Sequence, residues 1–165
     1  MKMAPRRFLL AVSLAVFAAG CDKPPPTAVA AVSPPAKHEH HPPHGGTPVV
    51  LGNEAYHLEL VCDPEGGRLQ AFVLDGEMEN FIRTSEPSIE ITATVGGVSK
   101  NLVLSAVANP ATGETVGDTS LFEGKAEWLK STPVFDGVLK TITIRGTAFA
   151  DVRFNYPMGN DTDGK

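Results

Sequence analysis

The sequence predicts an all-β protein, a single antiparallel β-sandwich, with a β-barrel as the alternative way of closing the same strands. Three observations lead there. About eight short runs of alternating apolar and polar residues lie between residues 47 and 156, each bounded by glycine, Asp-Gly or Asn turn signals. They follow one another closely, as strands linked by hairpins do. No stretch carries a convincing amphipathic helix of three turns.

Taken in order, Thr47 to Leu51 is followed by the Gly52-Asn53 turn and then Tyr56 to Cys62. In that second run Tyr56, Leu58 and Leu60 share one face while His57 and Glu59 share the other, because side chains alternate along a strand. Gly66-Gly67 turns the chain into Leu69 to Leu74, which Asp75-Gly76 ends. Ile89, Ile91, Ala93 and Val95 alternate with Glu90, Thr92 and Thr94, a half-buried strand. Gly96-Gly97 then turns into Val98 to Val107, with Leu102 and Leu104 facing inward. Residues 108 to 119 are too polar and glycine-rich for a buried element and read as a loop. Leu121 to Leu129 is strand-like with room for a helical turn; Asp136-Gly137 leads into Val138 to Arg145, with Ile142 and Ile144 on one side; Gly146 starts the turn to a last strand carrying Val152, Phe154 and Tyr156. The domain is expected over 44–158, long enough to bury its own core. An immunoglobulin-like or fibronectin-like topology is the favoured arrangement. Residues 159–165 are expected as a disordered polar tail.

What precedes the domain has a different character. Lys2, Arg6 and Arg7 are followed by an apolar run from Phe8 to Ala19, too short for a comfortable span and suited to a secretory signal over 1–20. The run ends Phe17-Ala18-Ala19-Gly20-Cys21, which resembles the lipobox of bacterial lipoproteins, with Ala18 where leucine is usual. That resemblance implies cleavage before Cys21 and acylation of Cys21 as a membrane anchor. It also implies a site in the bacterial cell envelope, facing the periplasm from the inner or outer membrane. Each buried methylene of such an anchor contributes about 0.8 kcal/mol, so several chains hold permanently. Losing the three cations of residues 1–20, which hold no acids, takes the net charge from −5 to −8. An acidic surface argues against nucleic-acid partners. Residues 21–43 form the anchor and a Pro/Ala/His-rich linker, whose composition favours extended chain at about 3 Å per residue.

The linker's end carries four of the five histidines, within Lys37-His38-Glu39-His40-His41-Pro42-Pro43-His44-Gly45-Gly46. Neutral imidazole suits zinc, copper and nickel, so His38, His40, His41 and His44 are the expected metal ligands, with Glu39 as an oxygen donor. His57, the one histidine inside the domain, is a candidate further ligand. It sits beside Glu59 on the outward face of its strand, and a hairpin through Gly52–Ala55 brings the His44 end alongside Asp63. The plainer reading of His57 and Glu59 is a solvated surface pair. Cys62, the only cysteine after Cys21, shares parity with Leu58 and Leu60 and reads as a buried small hydrophobe, pointing away from His57. A glycine-rich phosphate loop, a G-x-S-x-G elbow, an H-E-x-x-H helix and a CxxC pair are all missing from the sequence, and no catalytic residue is expected.

The runs His44-Gly45-Gly46-Thr47-Pro48-Val49-Val50-Leu51-Gly52, Tyr56-His57-Leu58-Glu59-Leu60-Val61 and Leu69-Gln70-Ala71-Phe72-Val73-Leu74-Asp75 resemble a known module. It is the HGG-plus-β module near the amino terminus of heavy-metal efflux membrane fusion proteins of the cobalt–zinc–cadmium type. The likeness covers about thirty residues, and the hairpin and lipoyl segments of a fusion subunit are missing from the sequence. It implies an envelope protein that handles transition metals as an accessory to efflux, with an efflux or other envelope protein as partner. The competing expectation, from the long tether, is a structural adaptor lipoprotein whose β-domain docks a protein partner.

Overall fold

The computed structural model describes residues 41–131 and 134–161. Eight strands make one antiparallel sheet: β1 (Thr47–Leu51), β2 (Tyr56–Asp63), β3 (Arg68–Asp75), β4 (Ser88–Val95), β5 (Val98–Ala106), β6 (Leu121–Lys125), β7 (Phe135–Ile144) and β8 (Thr147–Tyr156). Their order across the sheet is β1-β2-β3-β6-β5-β4-β7-β8, and β1 comes back against β8, so the sheet is nearly closed and barrel-like. The all-β antiparallel expectation is met, and the strands take a single curled sheet. A 3-10 turn, Glu127–Lys130, follows β6 where the sequence left room for a helical turn.

Alternation fills the barrel. Val49 and Leu51, Leu58 and Leu60, Leu69, Ala71 and Val73, Ile89, Ile91 and Ala93, Leu102 and Leu104, and Phe122 all point inward and are fully or almost fully buried. Each such Leu, Ile or Val contributes about 1.5–3 kcal/mol by leaving water. On β7 the inward parity changes, from Phe135 and Leu139 to Ile142 and Ile144. The change falls where the β7–β8 register passes over Lys140 and Asp151, the latter at φ 50°.

Two sequence expectations are corrected here. Asp136-Gly137, expected just ahead of a strand beginning at Val138, lies inside β7, opposite Asn155 and Phe154 on β8 and opposite Thr94 and Ala93 on β4. The Phe154 ring occupies the space that a side chain at 137 would need, so glycine serves packing rather than turning. The ordered domain also passes the expected end at 158. Gly159 exchanges backbone hydrogen bonds with Asn155, and the Asn160 side chain accepts from the Val50 amide at 2.7 Å and donates to the Val50 carbonyl at 3.2 Å. Asn160 thus mimics a strand residue on the free edge of β1. Thr47 Oγ1 donates to the Pro157 carbonyl beside it, at 3.1 Å. Together these contacts cover the seam of the barrel.

Outside the barrel, β2 and β3 carry a second, smaller layer. Their register sets His57 opposite Leu74 and Glu59 opposite Phe72, all on the outward face. That face is covered: Leu74 and Phe81 form a bridge, Ile82 N–H donates to the Val73 carbonyl, and the chain leading into β1 crosses Glu59 and Phe72. His57, Glu59 and Leu74 are consequently 0 % exposed. The expected solvated His57–Glu59 pair is overturned, although the parity of the two side chains is as read.

Candidate functional site

The site is built where the linker meets the barrel. Gly45, at φ 67°, donates its amide to the Pro42 carbonyl at 3.0 Å and reverses the chain in a region that L-residues rarely adopt. Gly46 follows because there is no room for a side chain: a Cβ there would stand 2.6 Å from the Leu60 carbonyl oxygen and 2.8 Å from Glu59 Cγ. This close approach lets two backbone amides reach the buried carboxylate. Glu59 Oε1 accepts from the His44 amide at 2.7 Å and from the Gly46 amide at 2.9 Å, and Oε2 lies 2.8 Å from His44 Nδ1.

The consequence for the imidazole is chemical. With the carboxylate ionised and the imidazole neutral, Nδ1 carries the hydrogen, since the carboxylate has no proton to give, and Nε2 keeps its lone pair. Phe72 fixes the ring plane by stacking on it, with centroids 4.0 Å apart and planes 17° apart. Phe81 closes the cluster at 5.8 Å from His44 and 6.1 Å from Phe72. The His44 side chain remains 39 % exposed, so the held ring stays accessible to solvent.

Phe81 is brought there by Asp75 at the end of β3. Its carboxylate accepts from the Glu79 amide at 2.9 Å, the Asn80 amide at 3.2 Å and the Asn80 side-chain amide at 2.6 Å, folding residues 76–80 into a tight loop. Partial burial pushes the Asp75 carboxyl upward, but the Asn80 side chain and the amides of Asn80, Glu79 and Glu77 outweigh it and hold it below the usual range.

Beside His44 opens a cavity of about 440 Å³. Its far wall is the 108–119 segment, which is ordered by the Asn109–Glu114 and Thr115–Asp118 bridges. The segment is a mostly exposed loop, as expected, and Glu114 within it is only 7 % exposed. It accepts from the Ser120 hydroxyl at 2.6 Å, the Ser120 amide at 2.8 Å and the Thr112 hydroxyl at 2.7 Å, with Arg83 Nε at 3.9 Å. Burial raises the Glu114 carboxyl, yet the Ser120 and Thr112 hydroxyls, the Ser120 amide and the Arg83 charge prevail and lower it. Arg83 also donates to Asp118 at 3.0 Å and to the Thr112 carbonyl at 2.6 Å.

Of the residues singled out in the sequence, Cys21, His38 and His40 lie outside the described residues. His41 is exposed, and His44 is held as above. The β1–β2 register does run toward Asp63, but the turn at Gly45 and Gly46 gives His44 to Glu59 instead. His57 is buried, its Nδ1 3.3 Å from the Asp75 carbonyl oxygen. Cys62 packs partly buried against the core, and burial, with the Asp63 charge second, pushes its thiol up. Among the described residues no three His, Cys, Asp or Glu side chains gather as a metal cluster. The sequence reading missed Glu59 as the anchor of His44, and it missed Phe72, Phe81, Arg83 and Glu114 as walls of a cavity. No family model, curated protein or solved structure matches the chain.

Proposed function

We propose that this chain is a lipid-anchored protein of the bacterial cell envelope that binds divalent transition metal ions through its histidine-rich lead-in, as an accessory to heavy-metal efflux. One observation carries the reading: the buried Glu59 carboxylate lies 2.8 Å from His44 Nδ1, on a ring whose side chain is 39 % exposed, so that in the neutral imidazole Nε2 is the nitrogen left to ligate. Metal-bound histidines are held in the same way, because a carboxylate on the far nitrogen fixes the tautomer and raises the basicity of the ligating one. His44 fits such a role. His41, His38 and His40 of the same short tract are the further imidazoles in this reading, and the set suits zinc or copper. His57 is left out of the set, because its ring is buried under the outer layer.

The test is calorimetric titration of the full chain with zinc and with copper, at pH 7.5 and 5.5. Binding in the micromolar range or tighter that weakens at the lower pH is expected, since protons compete for imidazole. His44→Ala should weaken it, and replacing His38, His40, His41 and His44 together should abolish it. Equal binding by the wild type and the fourfold variant removes the proposal.

A further inference from the structure

We propose that the cavity beside His44 is a binding site for a neutral, planar aromatic ring, supplied either by a free small molecule or by an aromatic side chain of a peptide. The argument starts from its walls. On one side stand His44, stacked on Phe72, and Phe81, which is 48 % exposed at the rim. Rings set offset or edge-on to a further aromatic ring gain about 0.5–1.5 kcal/mol beyond burial. A volume of about 440 Å³ is ample for one ring and its substituents.

Neutrality follows from the opposite wall. Glu114 is compensated in place by two hydroxyls, an amide and Arg83, and Arg83 in turn is spent on Asp118 and the Thr112 carbonyl. An anion would meet the Glu114 carboxylate beside a guanidinium already engaged with Asp118, so it gains little. Burying a carboxylate in a surface loop is costly, and this one is fully supported, which gives the cavity a preformed polar floor. Asn80 and Asn109 at the margin offer amide groups to a ring's polar substituents. The inference does not depend on the metal reading, although His44 belongs to both.

The experiment is an amide NMR titration of the full chain in EDTA with benzamide, cyclohexanecarboxamide, benzoate and the blocked peptide acetyl-Gly-Phe-Gly-amide. Benzamide should produce saturable shifts at Phe81, Thr112 and Ser120. Cyclohexanecarboxamide and benzoate should bind about fivefold more weakly or less. Phe81→Ala should cost about tenfold, and the more conservative Phe81→Leu should also weaken the ring. A peptide that binds better than benzamide assigns the ring to a peptide side chain, and the reverse assigns it to a free molecule. Absence of saturation with every ring, equal binding of the cyclohexyl compound, or full binding by both Phe81 variants would overturn the proposal. Because EDTA removes metal throughout, these outcomes are separate from those of the calorimetry.

Discussion

Replacing Glu59 by glutamine probes the site most sharply, because it keeps shape while changing which hydrogen-bonding groups face His44. Two backbone N–H groups converge on Oε1, so the amide oxygen of a glutamine must take that position; the NH2 would meet donors there. The NH2 then faces His44 Nδ1, which has to accept, and the imidazole proton moves to Nε2. The Nε2 lone pair that the proposed metal site would use is lost without removing a side chain from the cluster. Hydrogen bonds to a charged acceptor contribute about 1.5–3 kcal/mol against about 0.5–1.5 for neutral ones, a difference of about 1 kcal/mol for each of three bonds. Because the His44 ring is 39 % exposed, its share is smaller, and Glu59→Gln should lose about 2–3 kcal/mol in all. Urea unfolding should show this as a midpoint lower by about 1–2 M. Metal affinity measured by calorimetry should fall about 10–100-fold, the usual effect of losing such a carboxylate, and the ring 15N shifts should report the exchanged tautomer. Wild-type affinity together with an unchanged tautomer would refute the reasoning, since Glu59 would then not govern Nε2.

Four further outcomes are expected. Gly46→Ala drives a Cβ against the Leu60 carbonyl and Glu59, and should cost about 1–3 kcal/mol, with His44 losing its ring-current shift from Phe72 in proton NMR. Asn160→Ala opens the seam at Val50 and should cost about 1–2 kcal/mol, with faster hydrogen exchange at the Val50 amide and little change in β4 or β5. Glu114 has its folded-state carboxyl held below the unfolded value, so its contribution is present above the ordinary carboxylate range and is lost as pH falls through the lowered folded value. Glu114→Gln should therefore be less stable than wild type near neutrality and converge with it in acid, as read by urea unfolding across pH. Cys62, whose thiol is pushed up by burial and by Asp63, should react with iodoacetamide more slowly than free cysteine at pH 8 and gain rate only at higher pH.

The strands were legible because the inner face of this barrel is written in period two. Ile89-Glu90-Ile91-Thr92-Ala93 alternates cleanly, and the structure buries its odd positions. Where the reading failed, two uses of one residue type compete. Asp-Gly commonly marks a turn, yet Gly137 stands in β7 because Phe154 fills the space above it, a contact 17 residues away that no local pattern carries. Likewise Gly159 and Asn160 look like a polar end and act as a substitute strand for β1, since the unpaired Val50 edge needs a donor and an acceptor.

The site was half legible for a related reason. His44-Gly45-Gly46 stands out in sequence, but what it does depends on a carboxylate 13 residues beyond Gly46 and on whether that carboxylate is buried. A sign of burial was present on β3 rather than on β2: Phe72 and Leu74 share the outward parity of Gln70, and two large apolar side chains on a supposedly wet face ask for a cover. Once that face is covered, Glu59 opposite Phe72 has to find donors, and the glycines of the lead-in are what let backbone amides come close enough to supply them. Burial of Glu59 is thus what ties the lead-in to the barrel. It holds His44 in place at the end of the histidine-rich segment, and on the proposed reading an ion held by His44 Nε2 polarises the imidazole and strengthens the Nδ1–H bond to Glu59. Metal binding and the seating of His44 and Gly46 on the barrel would then reinforce each other through a single carboxylate.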